Sequence, residues 1–176
     1  MKTVLIVEDE KMIRQGIKTM IMRSGVPIET IMECNNGETA LEILKEQEID
    51  VMFTDIRMPK MDGIELVQKM QSLEHIPLTV AISGYDDFAY AVEMLRNGVR
   101  EYILKPIERE KITEILKKLN AEIESRKEKE ENNQKIGYQQ MRHLMLSDEI
   151  SGEEQRTIES QYADHFYTGN YYVCCQ

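Results

Sequence analysis

Residues 51–63 read VMFTDIRMPKMDG, and this stretch decides how the chain folds. Its first four residues form an apolar run, which is typical of a short strand buried on both faces of a parallel sheet. The run VLIV at residues 4–7 has the same character. Both runs end directly in acidic side chains: Asp55 follows the first, and Glu8 and Asp9 follow the second. Two such strands predict a parallel sheet at the centre of the molecule.

Short β-like runs alternate with helical patterns throughout residues 3–107. The five strand candidates are Thr3–Val7, Ile28–Cys34, Val51–Thr54, Leu78–Ile82 and Glu101–Leu104. The helical patterns between them cover residues 11–25, 36–47, 63–73 and 86–98. The first closes on Gly25 and the last on Gly98, as helix ends prefer. This alternation predicts an α/β fold with a doubly wound, five-stranded parallel sheet in the flavodoxin-like order 2-1-3-4-5.

The pattern changes after Ile107, where the sequence becomes helical and highly charged as far as about residue 134. Apolar residues recur there at intervals of 4, 3 and 4, at Ile112, Leu116, Leu119 and Ile123. This spacing resembles the seam of a coiled coil, so the helix over residues 108–135 is a candidate for dimerisation. Gly137 is expected to end or bend the helix.

We therefore expect three regions along the chain. Residues 1–122 form the α/β domain, with a C-terminal helical extension, and residues 123–146 form a helical linker. Residues 147–176 end in the strand-like run YYVCC, which has no partner inside a finished α/β domain. This last region is expected to be the start of a further, incomplete domain.

The charge and composition exclude several kinds of protein. The net charge is -10, and residues 1–107, 108–135 and 136–176 each have at least as many acidic as basic groups. Because DNA binding needs clustered Lys and Arg, this chain is not expected to bind DNA by itself. It has no apolar run long enough to span a membrane. Its three cysteines have no zinc or disulfide spacing, and we expect a cytoplasmic location.

Polar side chains follow four of the predicted strands at the same edge of the sheet, where doubly wound folds bind ligands. They are Glu8, Asp9, Asp55, Ser83 and Lys105. The order 2-1-3-4-5 makes the first and third strands neighbours, so three carboxylates converge. Such a cluster repels itself unless a hard cation is bound, and Mg²⁺ suits it because it accepts carboxylates together with phosphate oxygens.

These side chains also suit phosphoryl transfer. A carboxylate can attack phosphorus and form an acyl phosphate. The reaction needs mainly positioning and charge neutralisation, which Mg²⁺ and the Lys105 ammonium could supply. A hydroxyl at Ser83 could hydrogen-bond the new phosphoryl group, and Gly84 leaves room beside it.

Four motifs in order, VLIVEDE, TDIRMPKMDG, ISGYDDFAYA and YILKPI, resemble those of the response regulator receiver family. The resemblance covers residues 3 to about 120. It implies that Asp55 accepts phosphate from a sensor histidine kinase and that Lys105 contacts the phosphoryl group. It also implies a cis Lys105–Pro106 bond. Ser83 and Tyr102 would be the switch pair that responds to the phosphate.

The resemblance further implies the ligands of the metal. Asp9, Asp55 and the backbone carbonyl of Arg57 would bind Mg²⁺. Many family members have two aspartates where this chain has Glu8 and Asp9. For Glu8, the resemblance implies that it would hold the metal through water.

Within the family, the stretch from Ile82 to Ile107 resembles receivers joined to AraC-type helix-turn-helix output domains. The expected function is thus that of a response regulator of a two-component phosphorelay. It would control transcription through an output domain absent from this chain, and it would bind DNA only through that domain. A homodimer could form through the face of helix 4, strand 5 and helix 5, together with the 108–135 helix.

Two other functions remain open. The first is an aspartate-nucleophile phosphatase, but such enzymes have an acid/base two residues after the nucleophile, where this chain has Arg57. We therefore expect self-catalysed phosphotransfer and slow autodephosphorylation at most, rather than enzymatic turnover. The second is a pseudo-receiver that signals by protein contacts alone. Such proteins typically lose the acid or the lysine, and this chain keeps both. Neither a G-x-G-x-x-G nor a P-loop motif supports a nucleotide cofactor.

Overall fold

The structure of the protein is a computed structural model that describes residues 1–84 and 88–146, with side chains described for 1–84, 90–129, 131–133 and 135. Its strands are β1 (Thr3–Val7), β2 (Thr30–Cys34), β3 (Val51–Asp55), β4 (Leu78–Ser83) and β5 (Glu101–Leu104). Its helices are α1 (Lys11–Met22), α2 (Gly37–Glu46), α3 (Gly63–Met70), α4 (Phe88–Arg96) and α5 (Arg109–Leu146).

The five strands form one parallel sheet in the order β2-β1-β3-β4-β5. This confirms the predicted fold class and strand order. Every residue of β3 and β4 is buried, because helices cover both faces of the sheet. β2 lies at an edge and is more exposed, and it begins at Thr30 rather than at the predicted Ile28.

The core consists of two apolar layers, one on each face of the sheet. Alternate residues of β1 illustrate the division: Leu5 and Val7 belong to one layer, and Val4 and Ile6 to the other. The first layer also holds buried residues of α2, α3 and α4, and the second holds those of α1 and α5. With both faces covered, the carboxyl edge of the sheet remains as the place for a site.

The apolar repeat of α5 packs against the protein's own sheet. Its members, Ile112, Leu116, Leu119 and Ile123, are all buried in the second layer, together with Ile115. The prediction that this repeat forms a coiled-coil seam between two chains was therefore wrong. The spacing of 4, 3 and 4 fits any flat apolar partner, and here a sheet face takes that place.

The chain divides into two compact units, Met1–Lys127 and Glu128–Gln176. Of the second unit the structure describes residues 128–146, which are helical and belong to α5. The expected end of the helix at Gly137 was wrong, because α5 continues through it to Leu146. The alternative, a bend at Gly137, stays a prediction. The strand predicted at residues 171–175 lies outside the described residues. None of the helices in the described ranges combines the length and apolar character needed to cross a membrane.

Local signals account for several helix ends. The side chains of Asn36 and Asp62 accept hydrogen bonds from the backbone N–H groups of Thr39 and Glu65, and so cap α2 and α3. Gly98 follows α4 with a φ of 83°, a left-handed conformation that favours glycine. The two capped helices start beside the carboxyl edge of the sheet.

Cys34 ends β2 and is buried, and this burial raises the pKa of its thiol to about 11. Because the thiolate is the reactive form, we expect folded Cys34 to react with an aromatic disulfide reagent at about pH 8 roughly 100-fold more slowly than in the unfolded chain. Absorbance of the released thiolate would measure both rates. The substitutions Cys174→Ser and Cys175→Ser leave Cys34 as the sole thiol. Similar rates with and without denaturant would contradict the assigned burial.

Candidate functional site

The site lies at the carboxyl ends of β1 and β3, where three carboxylates meet. Glu8 and Asp9 follow β1 directly, and Asp55 is the last residue of β3. Each offers one oxygen atom, and these atoms all lie within 4.8 Å of one another. Glu8 and Asp55 are buried, whereas Asp9 is exposed. One open side therefore leads into a cluster with strong negative charge.

Lys105 supplies the positive charge of the site from the end of β5. Its Nζ lies 2.9 Å from Oε2 of Glu8 and 3.2 Å from Oδ1 of Asp55. Its backbone N–H donates a hydrogen bond to the carbonyl oxygen of Ser83 at 2.7 Å, which ties the end of β5 to the end of β4. The peptide bond between Lys105 and Pro106 is cis. The ammonium therefore lies between the two buried carboxylates.

Burial controls the proton affinity of these groups. It raises the pKa of the Glu8 carboxyl, and the negative charge of Asp55 adds to the rise while Lys105 opposes it. It likewise raises the pKa of Asp55, again against the influence of Lys105 and with a further increase from Asp9. Burial alone would lower the pKa of Lys105, but its contacts with Glu8 and Asp55 outweigh this effect and raise it. The cluster is therefore short of positive charge, and one ammonium does not fully balance it.

The donor set fits a hard divalent cation. Three carboxylate oxygens within 4.8 Å are the ligand type that Mg²⁺ and Ca²⁺ prefer. Moreover, Oε2 of Glu8 is buried and accepts no well-aligned hydrogen bond from any residue that the structure describes, although Lys105 lies beside it as an ion-pair partner. A buried carboxylate oxygen in that state gains from a cation or from a water held by one. The predicted ligands Glu8, Asp9 and Asp55 are thus brought together.

The remaining predicted residues lie around this cluster. Ser83 ends β4 and is buried, one residue after Ile82, which is the sheet neighbour of Asp55. Tyr102 lies in β5, opposite Ala81 of β4, and packs partly buried against the first apolar layer. Arg57 follows Asp55 in the loop before α3, and its guanidinium donates a hydrogen bond of 2.6 Å to the hydroxyl of Tyr90 in α4. This guanidinium also lies 5.2 Å from the centre of the Tyr90 ring.

The structure also identifies two residues that the sequence analysis did not assign to the site. Arg14 in α1 contacts the backbone of the acidic pair, with Nη1 2.5 Å from the carbonyl oxygen of Glu8. Gly63 donates a backbone hydrogen bond of 2.8 Å to the carbonyl oxygen of Ile56, directly after the phosphoacceptor candidate. The Asp-Gly pair at residues 62–63 was a usable signal for Gly63, whereas nothing in the sequence indicated Arg14.

Gly63 cannot carry a side chain without a shift of the backbone at the site. A Cβ atom there would overlap the carbonyl oxygen of Asp55 and approach Cα of Ile56 to 3.1 Å. We expect Gly63→Ala to lower the free energy of unfolding by about 3 kcal/mol, because neither neighbour is a flexible side chain that could move away. Urea denaturation followed by circular dichroism would measure this.

Gly16 in α1 provides the matched control, because a Cβ atom there meets nothing within 4 Å. Gly16→Ala is expected to raise the free energy of unfolding by about 0.5–1 kcal/mol, since alanine favours the helix interior. If the two substitutions changed stability equally, the close approach of Gly63 to Asp55 would be disproved.

Comparison with known proteins gives the family. The sequence model of the response regulator receiver domain matches residues 4–117. An uncharacterized response regulatory protein of Vibrio cholerae is 31% identical over 121 residues, 69% of this chain and 46% of that protein. The uncharacterized transcriptional regulatory protein YesN of Bacillus subtilis is 31% identical over 123 residues, 70% of this chain and 33% of YesN. The chain therefore spans less than half the length of these relatives.

Solved structures agree with this result. The REC domain of AraT, a response regulator from Geobacillus stearothermophilus, is 34% identical, with a TM-score of 0.62 over 71% of this chain and 97% of that one. A two component transcriptional regulator AraC from Clostridium phytofermentans is 32% identical, with a TM-score of 0.63 over 73% and 99%. Because the family model matches more than half of the chain, the chain belongs to the response regulator receiver family of two-component systems.

Proposed function

We propose that Asp55 accepts a phosphoryl group from a sensor histidine kinase in a reaction that depends on Mg²⁺. The observation that carries this proposal is the convergence of Asp55 with Glu8, Asp9 and Lys105 at one edge of the sheet. Membership of the receiver family supports the same reaction, since receivers take their phosphate from histidine kinases.

Each side chain has a definite part in the reaction. A carboxylate oxygen of Asp55 attacks phosphorus, a new O–P bond forms, and the P–N bond to the kinase histidine breaks with the electron pair leaving on nitrogen. Lys105 stabilises the negative charge on the phosphoryl oxygens. Asp9, Asp55 and the backbone carbonyl of Arg57 would hold the metal, and Glu8 would hold it through water. When bound, Mg²⁺ supplies the charge neutralisation that phosphoryl transfer requires.

The resulting acyl phosphate would act as a switch rather than as a step in turnover. Ser83 would donate its hydroxyl hydrogen to the phosphoryl group, and Tyr102 would turn inward in response. Ser83 and Lys105 are already linked through the backbone, which supports a common response of β4 and β5. Arg57 stands where a phosphatase of the aspartate-nucleophile class has its acid/base, so slow autodephosphorylation is expected instead of steady turnover. Sustained hydrolysis of a phosphate ester would favour the phosphatase.

The output would be transcriptional and would lie in a longer protein. The likeness to AraT and to an AraC regulator favours an AraC-type DNA-binding domain, and the curated relatives are two to three times longer than the matched region. This chain would then bind DNA only through that domain.

A homodimer would form through the face made by α4, β5 and α5. Leu95 in α4 and Leu104 in β5 expose 54% and 43% of their surface and would supply apolar contacts on this face. Because the α5 repeat is buried within its own chain, the apolar contact between the two copies would come from this face. Sedimentation with and without beryllofluoride, a phosphoryl mimic, tests it. An unchanged monomer in both states would exclude the dimer.

Phosphorylation by a small donor tests the central proposal. The full chain is incubated with acetyl phosphate in Mg²⁺ or in EDTA, and borohydride reduction followed by mass spectrometry locates the acyl phosphate. We expect one phosphoryl group, on Asp55, in Mg²⁺ only. Labelling at another carboxylate, or equal labelling in EDTA, would refute the proposal. A protein that binds no Mg²⁺ and takes up no phosphate would instead be a pseudo-receiver.

A further inference from the structure

Arg14 lies against the turn that carries the acidic pair. Its Nη1 lies 2.5 Å from the carbonyl oxygen of Glu8 and 3.4 Å from that of Asp9. Only 16% of the side chain is exposed, so a long cation folds back over the turn that precedes its own helix. The guanidinium is thus in contact with the backbone of both residues whose carboxylates enter the site.

The location of this arginine is unfavourable for the helix itself. Arg14 belongs to the first turn of α1, where the helix dipole disfavours positive charge. The features that usually stabilise a helix N-terminus are missing as well. The Glu10 side chain makes no capping bond within the described structure, and the first turn contains no acidic residue. The helix dipole therefore does not favour a cation at this point, whereas its contacts with the turn and with Glu33 do.

Glu33 in β2 anchors the arginine. Its Oε2 lies 3.5 Å from Nε of Arg14 and accepts a hydrogen bond of 2.7 Å from Gln15, while its Oε1 lies 2.5 Å from Nζ of Lys18. Glu33 is the neighbour of Ile6 in the sheet, two residues before Glu8. The guanidinium is consequently fixed between a residue of the sheet and the turn that it contacts.

The contact is with the turn from which both acidic side chains extend. Glu8 is fully buried and Asp9 is exposed, yet both reach within 4.8 Å of Asp55. Three converging carboxylates repel one another, and this repulsion favours opening of the turn when no metal is bound. Hydrogen bonds from a charged donor to two successive carbonyl groups resist that movement.

We propose that Arg14 is a positioning residue for the metal site, holding the turn that carries Glu8 and Asp9, and that Glu33 acts through it. The inference rests on the proposed function in that it takes these two carboxylates as metal ligands. It predicts weaker Mg²⁺ binding when the guanidinium is removed, with the ligands themselves unchanged.

Calorimetric titration of the full chain with Mg²⁺ alone tests the inference. Arg14→Met is expected to raise the dissociation constant about 10-fold, the lower end of the range for residues that orient metal ligands. Glu33→Gln should weaken binding less, and it should add nothing in an Arg14→Met background. Lys18→Met is the matched control, because it removes another α1 cation from the same carboxylate without touching the turn, and it should stay within about twofold of the parent.

Further readouts separate positioning from general stability. Saturating Mg²⁺ should restore the phosphorylation rate of Arg14→Met towards that of the parent. Arg14→Lys, which keeps one donor, should recover part of the affinity, and it also serves if the methionine variant does not fold. Equal losses in Arg14→Met and Lys18→Met, or an unchanged affinity in Arg14→Met, would overturn the inference.

The outcomes also distinguish this inference from the proposed function. If the parent itself bound no Mg²⁺, the proposed function would fail, and the amide chemical shifts of Glu8, Asp9 and Glu10 in the metal-free protein would then decide the positioning role. We expect these shifts to change in Arg14→Met and to stay as in the parent in Lys18→Met. Unchanged shifts in Arg14→Met would overturn the role of Arg14 as well.

Discussion

Asp55→Asn is expected to take up no phosphoryl group and, at the same time, to be more stable than the parent protein in metal-free buffer. The first effect follows because an amide is no nucleophile towards phosphorus. The second follows because burial and the nearby Asp9 raise the pKa of Asp55, so the folded state disfavours the ionised carboxylate. Removing that charge should raise the free energy of unfolding by on the order of 1 kcal/mol.

Phosphate incorporation and urea denaturation, both at about pH 7.5, measure the two effects. Asp62→Asn is the control, because asparagine caps α3 as well as aspartate does. It should match the parent in phosphate uptake and should differ in stability by less than about 0.5 kcal/mol. Uptake by Asp55→Asn at the parent's rate would show that another residue is the acceptor. A less stable Asp55→Asn would show that the buried charge is fully compensated.

Lys105→Met is expected to have a large effect on both stability and phosphoryl uptake. It leaves Glu8 and Asp55 buried without the cation that lies 2.9 and 3.2 Å from them. Breaking a buried ion pair from one side typically costs several kcal/mol, and we expect a loss of about 3 kcal/mol at neutral pH without divalent cations. Phosphoryl uptake should also slow by about 100-fold, since the ammonium stabilises charge that develops during transfer.

This loss should depend on pH in a definite direction. The pKa values of Glu8 and Asp55 are raised in the folded chain, and the substitution removes the group that lowers them. A carboxyl whose pKa is higher in the folded than in the unfolded chain stabilises the fold in its protonated form. Its contribution to the free energy of unfolding is fully present below the unfolded pKa of about 4 and is lost as the pH rises through the folded pKa. The variant should therefore be close to the parent at about pH 4 and should fall behind it towards neutrality.

At high pH the free energy of unfolding of the parent should fall towards that of Lys105→Met. The pKa of Lys105 is raised above its ordinary value of 10.5, so its contribution is present below that pH and is lost as the pH rises through the folded pKa. Lys69→Met is the control, since Lys69 forms an exposed pair with Glu65 at 2.8 Å, worth about 0.5 kcal/mol or less. A loss in Lys105→Met that does not vary with pH would contradict the ion-pair explanation.

The fold was predictable because its sheet is buried on both faces. The runs at residues 4–7 and 51–54 lack the alternation of a half-buried strand, and strands of this kind are typical of a parallel sheet covered on both sides. The start of β2 was harder to predict. Ile28 is apolar, but the backbone N–H groups of Glu29 and Thr30 both bond to the carbonyl of Lys2, and regular pairing begins only at Thr30.

The partner of α5 could not be predicted from spacing alone. Its repeat from Ile112 to Ile123 has the same period whether it packs on a second helix or on a sheet. The continuation past Gly137 was also hidden, because a single glycine costs a helix only about 1 kcal/mol and gives no definite stop.

The residues of the site also divide into those that the sequence could predict and those that it could not. Residues at strand ends, such as Asp55 and Lys105, could be predicted because parallel strands bring their carboxyl ends to one edge. The contact of Arg14 with Glu33 could not, because it joins a helix to an edge strand across side chains of flexible length. The pairing of Arg57 with Tyr90 depends on how α4 packs and was hidden for the same reason.

The contact between Arg57 and Tyr90 makes the protein its own optical probe. The chain contains no tryptophan, so tyrosine alone dominates its near-ultraviolet spectrum. The guanidinium of Arg57, two residues along the chain from Asp55, lies 5.2 Å from the centre of the Tyr90 ring and donates a hydrogen bond of 2.6 Å to its hydroxyl. Any event at Asp55 that draws Arg57 away changes the electric field on that ring. A difference spectrum that disappears in Tyr90→Phe would then follow the site in real time, without a label.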